Sequence, residues 1–417
     1  MRYTPIFAAI MTFWPLVAYA GGQGFTAMVG LAAIAALAYL RPGGRGLIAL
    51  GSTLLFTLWA AVSSIWSPSG DGIVSGSLSA GDFAVDAAGL RIFFVALAAA
   101  AVLAALMRDT RFTTPESTGW IAGAILVNGA IILAFACFPA TLFAFFDPLS
   151  DAETEALQNA IRNTGSFALA LPVLGAAVFT ALSRPAWGLG LAALAVLATL
   201  YAGLRLSADS AIVMPVVSGL AIGLVALLPK RGFQVLLAIP AGLTVAAPLL
   251  YSGLIKALDL IGTSVPGSFQ SRLWSWEAVI AQTGSKPVLG HGLEASSTWR
   301  ETFADHPEKL AMVDPSWTNY PLIPGHPHSM PLEIWAETGA IGAVLAASAL
   351  FAIGLSLPNP GTLPPRTRFA IAGLVGAAFV TFTVSYSVWN EAYWASIALM
   401  AGAIFIVHRC DHQAEAV

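Results

Sequence analysis

The chain has 417 residues, of which 57% are hydrophobic and only 10% charged, with a net charge of −3 and a mean hydropathy of +0.78. A soluble domain carries about 25% charged residues, so this composition excludes an ordinary water-soluble enzyme and gives no reason to expect a nucleic-acid partner. It describes a polytopic membrane protein, because apolar runs close to the roughly 20 residues that cross the hydrocarbon layer as a helix recur throughout.

In chain order these runs fall at 5–20, 24–40, 46–66, 90–107, 119–145, 167–183, 186–203, 210–228, 232–251, 339–357, 369–386 and 389–407. They predict an all-α integral membrane protein of about twelve transmembrane helices. The first run, in "MRYTPIFAAIMTFWPLVAYAGG", is read as an uncleaved span, with a signal peptide ending at Ala18-Tyr19-Ala20 as the alternative. Cys137 falls inside a span and Cys410 in a terminal tail at the opposite side, so neither a disulfide nor a thiolate metal site is expected.

Alternate loops hold Arg2, Arg41, Arg45, Arg108, Arg111, Arg184, Lys230, Arg231, Arg366, Arg368 and Arg409, which are 11 of the 19 basic residues. Against them stand only Asp109, Glu116, Asp411 and Glu415. By the positive-inside rule this face is cytoplasmic, as are both termini. The other face, periplasmic or external, holds the remaining 8 basic and 18 acidic residues.

One connection stands apart. Residues 252–338, between the ninth and tenth spans, exceed an ordinary loop and contain Trp274, Trp276, Trp299 and Trp317. The expected organisation is therefore spans one to nine over 1–251, a folded, largely helical cap over 252–338, and three further spans with a short tail over 339–417.

Within the cap, Phe269, Leu273, Trp276 and Ile280 recur at spacings of four, three and four, one face of an amphipathic helix expected to lie on the membrane surface. Arg272 falls at the edge of that face, where its planar fork suits a phosphate and where it could equally snorkel to the interface. At the end of the cap, Ser329 is a candidate N-cap and Pro331 is tolerated in a first turn, so a helix should begin just after His328. The positive field of that terminus favours a neutral His328 able to accept a proton.

Glu333 and Glu337, one turn apart, could orient a partner or bind a sugar hydroxyl; a purely structural capping role is the alternative. His326 and His328 form an H-x-H pair, with His291 as a conceivable third ligand, but the zinc-binding patterns are lacking, so no metal or other cofactor is expected. His306 reads as a solvated loop residue. The acidic pair Glu153 and Glu155 reads as a weak metal signal or a short solvated helix. In "GLRLSADSAIVM", Arg205 and Asp209 flank the ends of two spans, as site residues or as a mutual ion pair.

Together "SRLWSW", "KPVLGHGLEASS" and "HPHSMPLEIWAETGAIG" resemble the O-antigen ligase and polymerase family of bacterial membrane glycosyltransferases, over about residues 160 to 345. The resemblance implies that His328, in the place of the family's P-H-N histidine, acts on the acceptor hydroxyl, and that Arg272 binds the donor diphosphate. His326, His291, Glu337, Glu333 and Asp209 would support them, without a divalent metal, in keeping with the missing D-x-D. "SADS" replaces the serine-arginine-glycine found in many members, so Arg205 could substitute for the second arginine, or Asp209 could mark different donor handling.

The implied activity is an inverting ligase in the bacterial inner membrane, working on its periplasmic face. It would move a glycan from undecaprenyl diphosphate to lipid A–core, or, as a polymerase, to another lipid-linked repeat unit. Membrane lipids would be the remaining partners. A flippase or other transporter with twelve spans, and a scaffold for a polysaccharide export complex, are the readings from other classes.

Overall fold

The computed structural model describes residues 3–37, 46–70, 72–75, 79, 84–109, 115–146, 155–182, 184–261 and 267–415. Glu153, Arg2, Arg41, Arg45 and Arg111 lie outside the described residues. The chain begins with α1 (Tyr3–Met11), α2 (Trp14–Tyr19), α3 (Phe25–Ala36) and α4 (Gly46–Ser63). A short hairpin of β1 (Val74–Ser75) and β2 (Ala84–Val85) leads to α5 (Ala88–Arg108), α6 (Pro115–Cys137) and α7 (Pro139–Phe146). Next come α8 (Glu155–Ala181), α9 (Pro185–Leu206), α10 (Asp209–Leu227) and α11 (Gly232–Ile261). The cap contains α12 (Gly267–Ser285) and the single turn α13 (Pro307–Leu310), and the chain ends with α14 (Met330–Ser356), α15 (Pro365–Val384) and α16 (Glu391–Glu415).

Helices dominate because a backbone in lipid must satisfy its own hydrogen bonds. Among the described residues ten helices are long and apolar enough to cross a membrane, and two shorter apolar stretches, Tyr3–Tyr19 and Phe25–Ala36, precede them. Leucines such as Leu227, Leu249 and Leu260 point outward with 79–88% of their surface uncovered, as a lipid-facing helix requires. Phe7, Met11 and Trp14 of the first segment are fully buried, and Trp14 stacks on Phe25 at 4.3 Å, so this segment belongs to the packed bundle.

Several boundaries differ from expectation. The helix that reads as solvated around Glu155 is the first part of the 27-residue α8, and α11 continues past 251 to Ile261. Cys410 lies not in a tail but within α16, where it is buried. The apolar face of α12 is not left for the lipid surface: Leu273 and Trp276 are buried against Tyr251 of α11 and Leu332 and Ala336 of α14. A helix with one apolar face takes whichever apolar partner lies nearest, and its period is the same in either case. Trp274, Phe303 and Leu322, with Trp317 beside them, form a second small core within the cap.

At the end of the bundle away from the cap, two of the acids are engaged. Asp411 pairs with Arg366 at 3.0 Å, and Asp109 accepts hydrogen bonds from the backbone N–H and hydroxyl of Thr4 at 2.7 and 3.0 Å.

The feature that sets the site lies in α14, whose helix breaks at Gly339 (φ 66°, ψ −168°). A break frees backbone groups that the apolar interior cannot solvate. The segment 286–292 supplies partners for them: His291 N–H donates to the Ala336 carbonyl (2.8 Å), Gly292 N–H to Glu337 (2.9 Å), and the Pro287 carbonyl accepts from Ala340 N–H (2.9 Å). The indole of Trp59 donates to the Thr338 carbonyl at 3.0 Å. The two backbones meet so closely that a Cβ on Gly290 would collide with the Glu337 backbone, and one on Gly339 with the Val288 carbonyl.

Gly339 also sits in a region of backbone space open in practice only to glycine. Gly339→Ala is therefore expected to destabilise the purified protein by at least about 1–3 kcal/mol, seen as a lowered midpoint of thermal unfolding in detergent. An unchanged midpoint would mean that the break can be rebuilt without strain.

Candidate functional site

Four stretches converge at the cap end of the bundle: the start of α12, residues 323–337, the α9–α10 turn, and the loop 385–390 between α15 and α16. His328 lies at their centre with a left-handed backbone (φ 52°). The Trp276 indole holds the preceding residue by donating to the Pro327 carbonyl at 2.9 Å. Ser329 occupies the N-cap position but its side chain makes no cap hydrogen bond, so packing rather than capping fixes the start of α14.

The tautomer of His328 follows from its neighbour. Nδ1 lies 2.7 Å from the Ser385 carbonyl, which can only accept, so Nδ1 carries the proton and Nε2 keeps its lone pair. His326 is set the opposite way: its Nδ1 accepts the backbone N–H of His328 at 3.3 Å, which places its own proton on Nε2. The two rings meet edge to face at 4.3 Å.

Both histidines are held neutral. Burial pushes the His326 imidazole down to about 3, with His328 contributing. For His328, burial lowers the value, the Ser385 carbonyl opposes it, and the nearby Arg272 charge lowers it further. Burial and a neighbouring cation thus act on His328 in the direction expected of the helix field.

Arg272 is partly buried; desolvation weakens its hold on the proton and the Asp209 carboxylate restores it. His328, Arg272 and Asp209 therefore form one electrostatic group, although Asp209 is 63 residues before Arg272 in the sequence. Arg205 turns away: its Nε reaches the Ala136 carbonyl, at the end of α6, at 3.5 Å.

A cation that the sequence reading passed over is Arg162, in the second turn of α8. Tyr386, next to the residue that holds His328, is raised by burial and lowered by the Arg162 charge, which places that guanidinium beside the 385–390 loop. Its only sequence signal was a basic residue at the start of an apolar stretch.

Glu333 and Glu337 are buried, and their oxygens face protein donors. Glu333 accepts from the Ser387 hydroxyl and the Val388 N–H, both at 2.7 Å. Glu337 accepts from the Trp389 indole (2.5 Å), the Glu294 N–H (2.6 Å), and the N–H and hydroxyl of Ser296 (3.2 and 2.6 Å). They join the cap and the 385–390 loop to α14, which gives both a positioning role. Arg91 reinforces this junction, 3.3 Å from Glu391 and 3.8 Å from Glu294.

His291 stays with the cap: Nε2 meets the Gln282 carbonyl (3.0 Å) and the Ser285 hydroxyl (3.1 Å), and its ring meets Trp299 edge-on. It is not brought into a ligand set with the H-x-H pair, and among the described residues no group of three His, Cys, Asp or Glu side chains is arranged to hold a metal. His306 lies half-buried, 3.6 Å from both Glu301 and Glu308.

Because the Glu337 carboxylate only accepts, Glu337→Gln would turn an amide N–H₂ toward donors. We expect a loss of about 1–3 kcal/mol in stability, read as a lower unfolding midpoint. An unchanged midpoint would show that these donors find other partners.

Residues 167–347 match the family described as O-antigen ligase. The matched stretch contains Arg205, Asp209, Arg272, His291, His326, His328, Glu333 and Glu337, and Arg162 lies just ahead of it. No curated protein matches the chain. The three motifs and the multi-pass helical fold agree with this match, and residues 167–347, a little under half of the chain, are similar to the O-antigen ligase family.

Proposed function

We propose that the protein is a metal-independent glycosyltransferase of the ligase type, working at the periplasmic face of a bacterial inner membrane on a glycan linked to undecaprenyl diphosphate. The observation that carries this reading is the pairing of an unprotonated His328 Nε2 with the Arg272 charge in one buried corner.

In the proposed reaction His328 Nε2 takes the proton of an acceptor sugar hydroxyl as its oxygen attacks the anomeric carbon. The bond from that carbon to the diphosphate breaks, the electron pair leaves with the carrier lipid, and the configuration inverts. Arg272 meets the charge growing on the leaving diphosphate, a task that cations perform in a low-dielectric site. Arg162 is the second cation in this reading, in preference to Arg205, which faces α6. His326, with its proton on Nε2, donates toward the substrate. Asp209 orients Arg272, while Glu333, Glu337 and His291 hold the cap and the loop in place.

The ligase is preferred to the polymerase because the arginine helix followed by the histidine cap resembles that branch. The gathering of ionisable groups at one end of the bundle argues against a transporter, which keeps them near the midplane of repeated halves.

His328→Ala should lower transfer by about 10²–10⁴-fold, the range for a lost general base, at unchanged membrane abundance. In a strain lacking the protein, long glycan stranded on the carrier would identify a ligase, whereas single repeat units there would identify a polymerase. Unchanged pools, or full activity of His328→Ala, would overturn the reading. Because the base works unprotonated and its proton affinity is depressed, activity should persist as pH falls below the ordinary histidine value of 6.5 and decline only further down. An acid limb at or above 6.5 would exclude His328 as that base. Arg162→Ala should cost more activity than Arg205→Ala, by about tenfold or more; the reverse order would restore Arg205 to the diphosphate.

A further inference from the structure

A cavity of about 270 Å³ opens in the cap away from His328. Its lining combines apolar groups, Ala278, Trp299 and the buried Ile323, with the polar side chains of Gln282, Thr298, Arg300 and Glu301. This is smaller than the roughly 300–1,000 Å³ of pockets that enclose drug-sized ligands, so it suits one ring rather than a long chain.

The lining has the chemistry of sugar recognition. A pyranose offers an apolar C–H face and a rim of hydroxyls that both donate and accept. Trp299 offers an apolar ring for the face, Arg300 offers only donors, Glu301 only acceptors, and Gln282 both. Among the described residues, the side chains of Gln282 and Arg300 have no hydrogen-bond partner, and the Thr298 hydroxyl donates to Ala295 at 2.8 Å while its lone pairs stay available.

The Trp299 ring is also fixed in advance. His291 packs edge-on against Trp299 at 5.6 Å and is itself held by Ser285 and the Gln282 carbonyl. This gives His291 a use that neither metal binding nor the transfer step supplies. A pre-set platform avoids part of the ordering cost of binding.

Position relates the cavity to the transfer site. Gln282 and Arg272 lie on the same helix, ten residues apart, a distance of about 15 Å along its axis, and Ile323 is five residues before His328. A glycan whose reacting end lies between Arg272 and His328 can therefore reach the cavity with a residue further along its chain. We propose that the cavity is a remote saccharide subsite that holds one pyranose ring of the glycan undergoing transfer. This rests on the glycosyltransferase reading above, and the ring comes from either the donor glycan or the acceptor oligosaccharide.

The test uses the full chain in detergent and two water-soluble probes: the glycan freed by mild acid from the carrier lipid of the deletion strain, and the core oligosaccharide freed from lipid A. Titration followed by calorimetry or saturation-transfer NMR should show saturable binding of one of them, and the probe that binds identifies the source. Gln282→Ala and Arg300→Ala, at sites without partners to disturb, should each weaken binding by about tenfold, and Trp299→Ala by more. Failure of both probes to bind the wild type, or wild-type affinity in Gln282→Ala and Arg300→Ala, would overturn the subsite. Full transfer activity in His328→Ala would instead overturn the catalytic assignment and leave the binding result standing.

Discussion

The arrangement depends on a helix that stops and restarts. At Gly339 the backbone of α14 leaves helical geometry, and the carbonyls of residues 336–338, together with the amide of Ala340, take partners from outside the helix. In an apolar environment an unpaired backbone group costs several kcal/mol, so the 286–292 segment and Trp59 are conditions for the break to exist. The junction then fixes the cap against α14, and with it α12 and the His326–His328 stretch.

From that junction the electrostatics of the site follow. Two buried glutamates in the first part of α14 gather donors from the cap and from residues 387–389, which brings the 385–390 loop down onto His328. A carbonyl from that loop decides which imidazole nitrogen carries the proton. Residues without contact to a substrate thus determine whether the histidine presents a base or an acid. Arg272, partly desolvated and faced by Asp209, completes a neutral base beside a cation.

Much of this was legible in the sequence, for reasons that differ from residue to residue. The apolar runs were visible because lipid demands them, and ten of the twelve coincide with helices long enough to cross a membrane, the first two with shorter apolar stretches. Their ends were less so: α8 and α11 continue into polar sequence because neighbouring helices, rather than hydropathy, decide where a helix stops. His328 and Arg272 stood out by motif. The proton on Nδ1 did not, since Ser385 is 57 residues away. Glu333 and Glu337 showed their spacing but not their partners, so a binding role and a scaffolding role looked alike. Arg162 was silent because a basic residue at the start of an apolar helix is ordinary until its neighbour, more than 200 residues on, is known. The period of α12 was readable, whereas the surface it packs on was not.

The backbone bridge between 286–292 and 336–341 has a consequence for traffic. Raising the cap as a hinged door would strip several amides and carbonyls at once, at a cost of several kcal/mol for each, with the Glu337 hydrogen bonds lost as well. The cap is therefore a fixed roof. A ligand with a long hydrocarbon tail has to come in sideways, gliding between helices within the lipid layer, while its water-soluble end slides along beneath the roof.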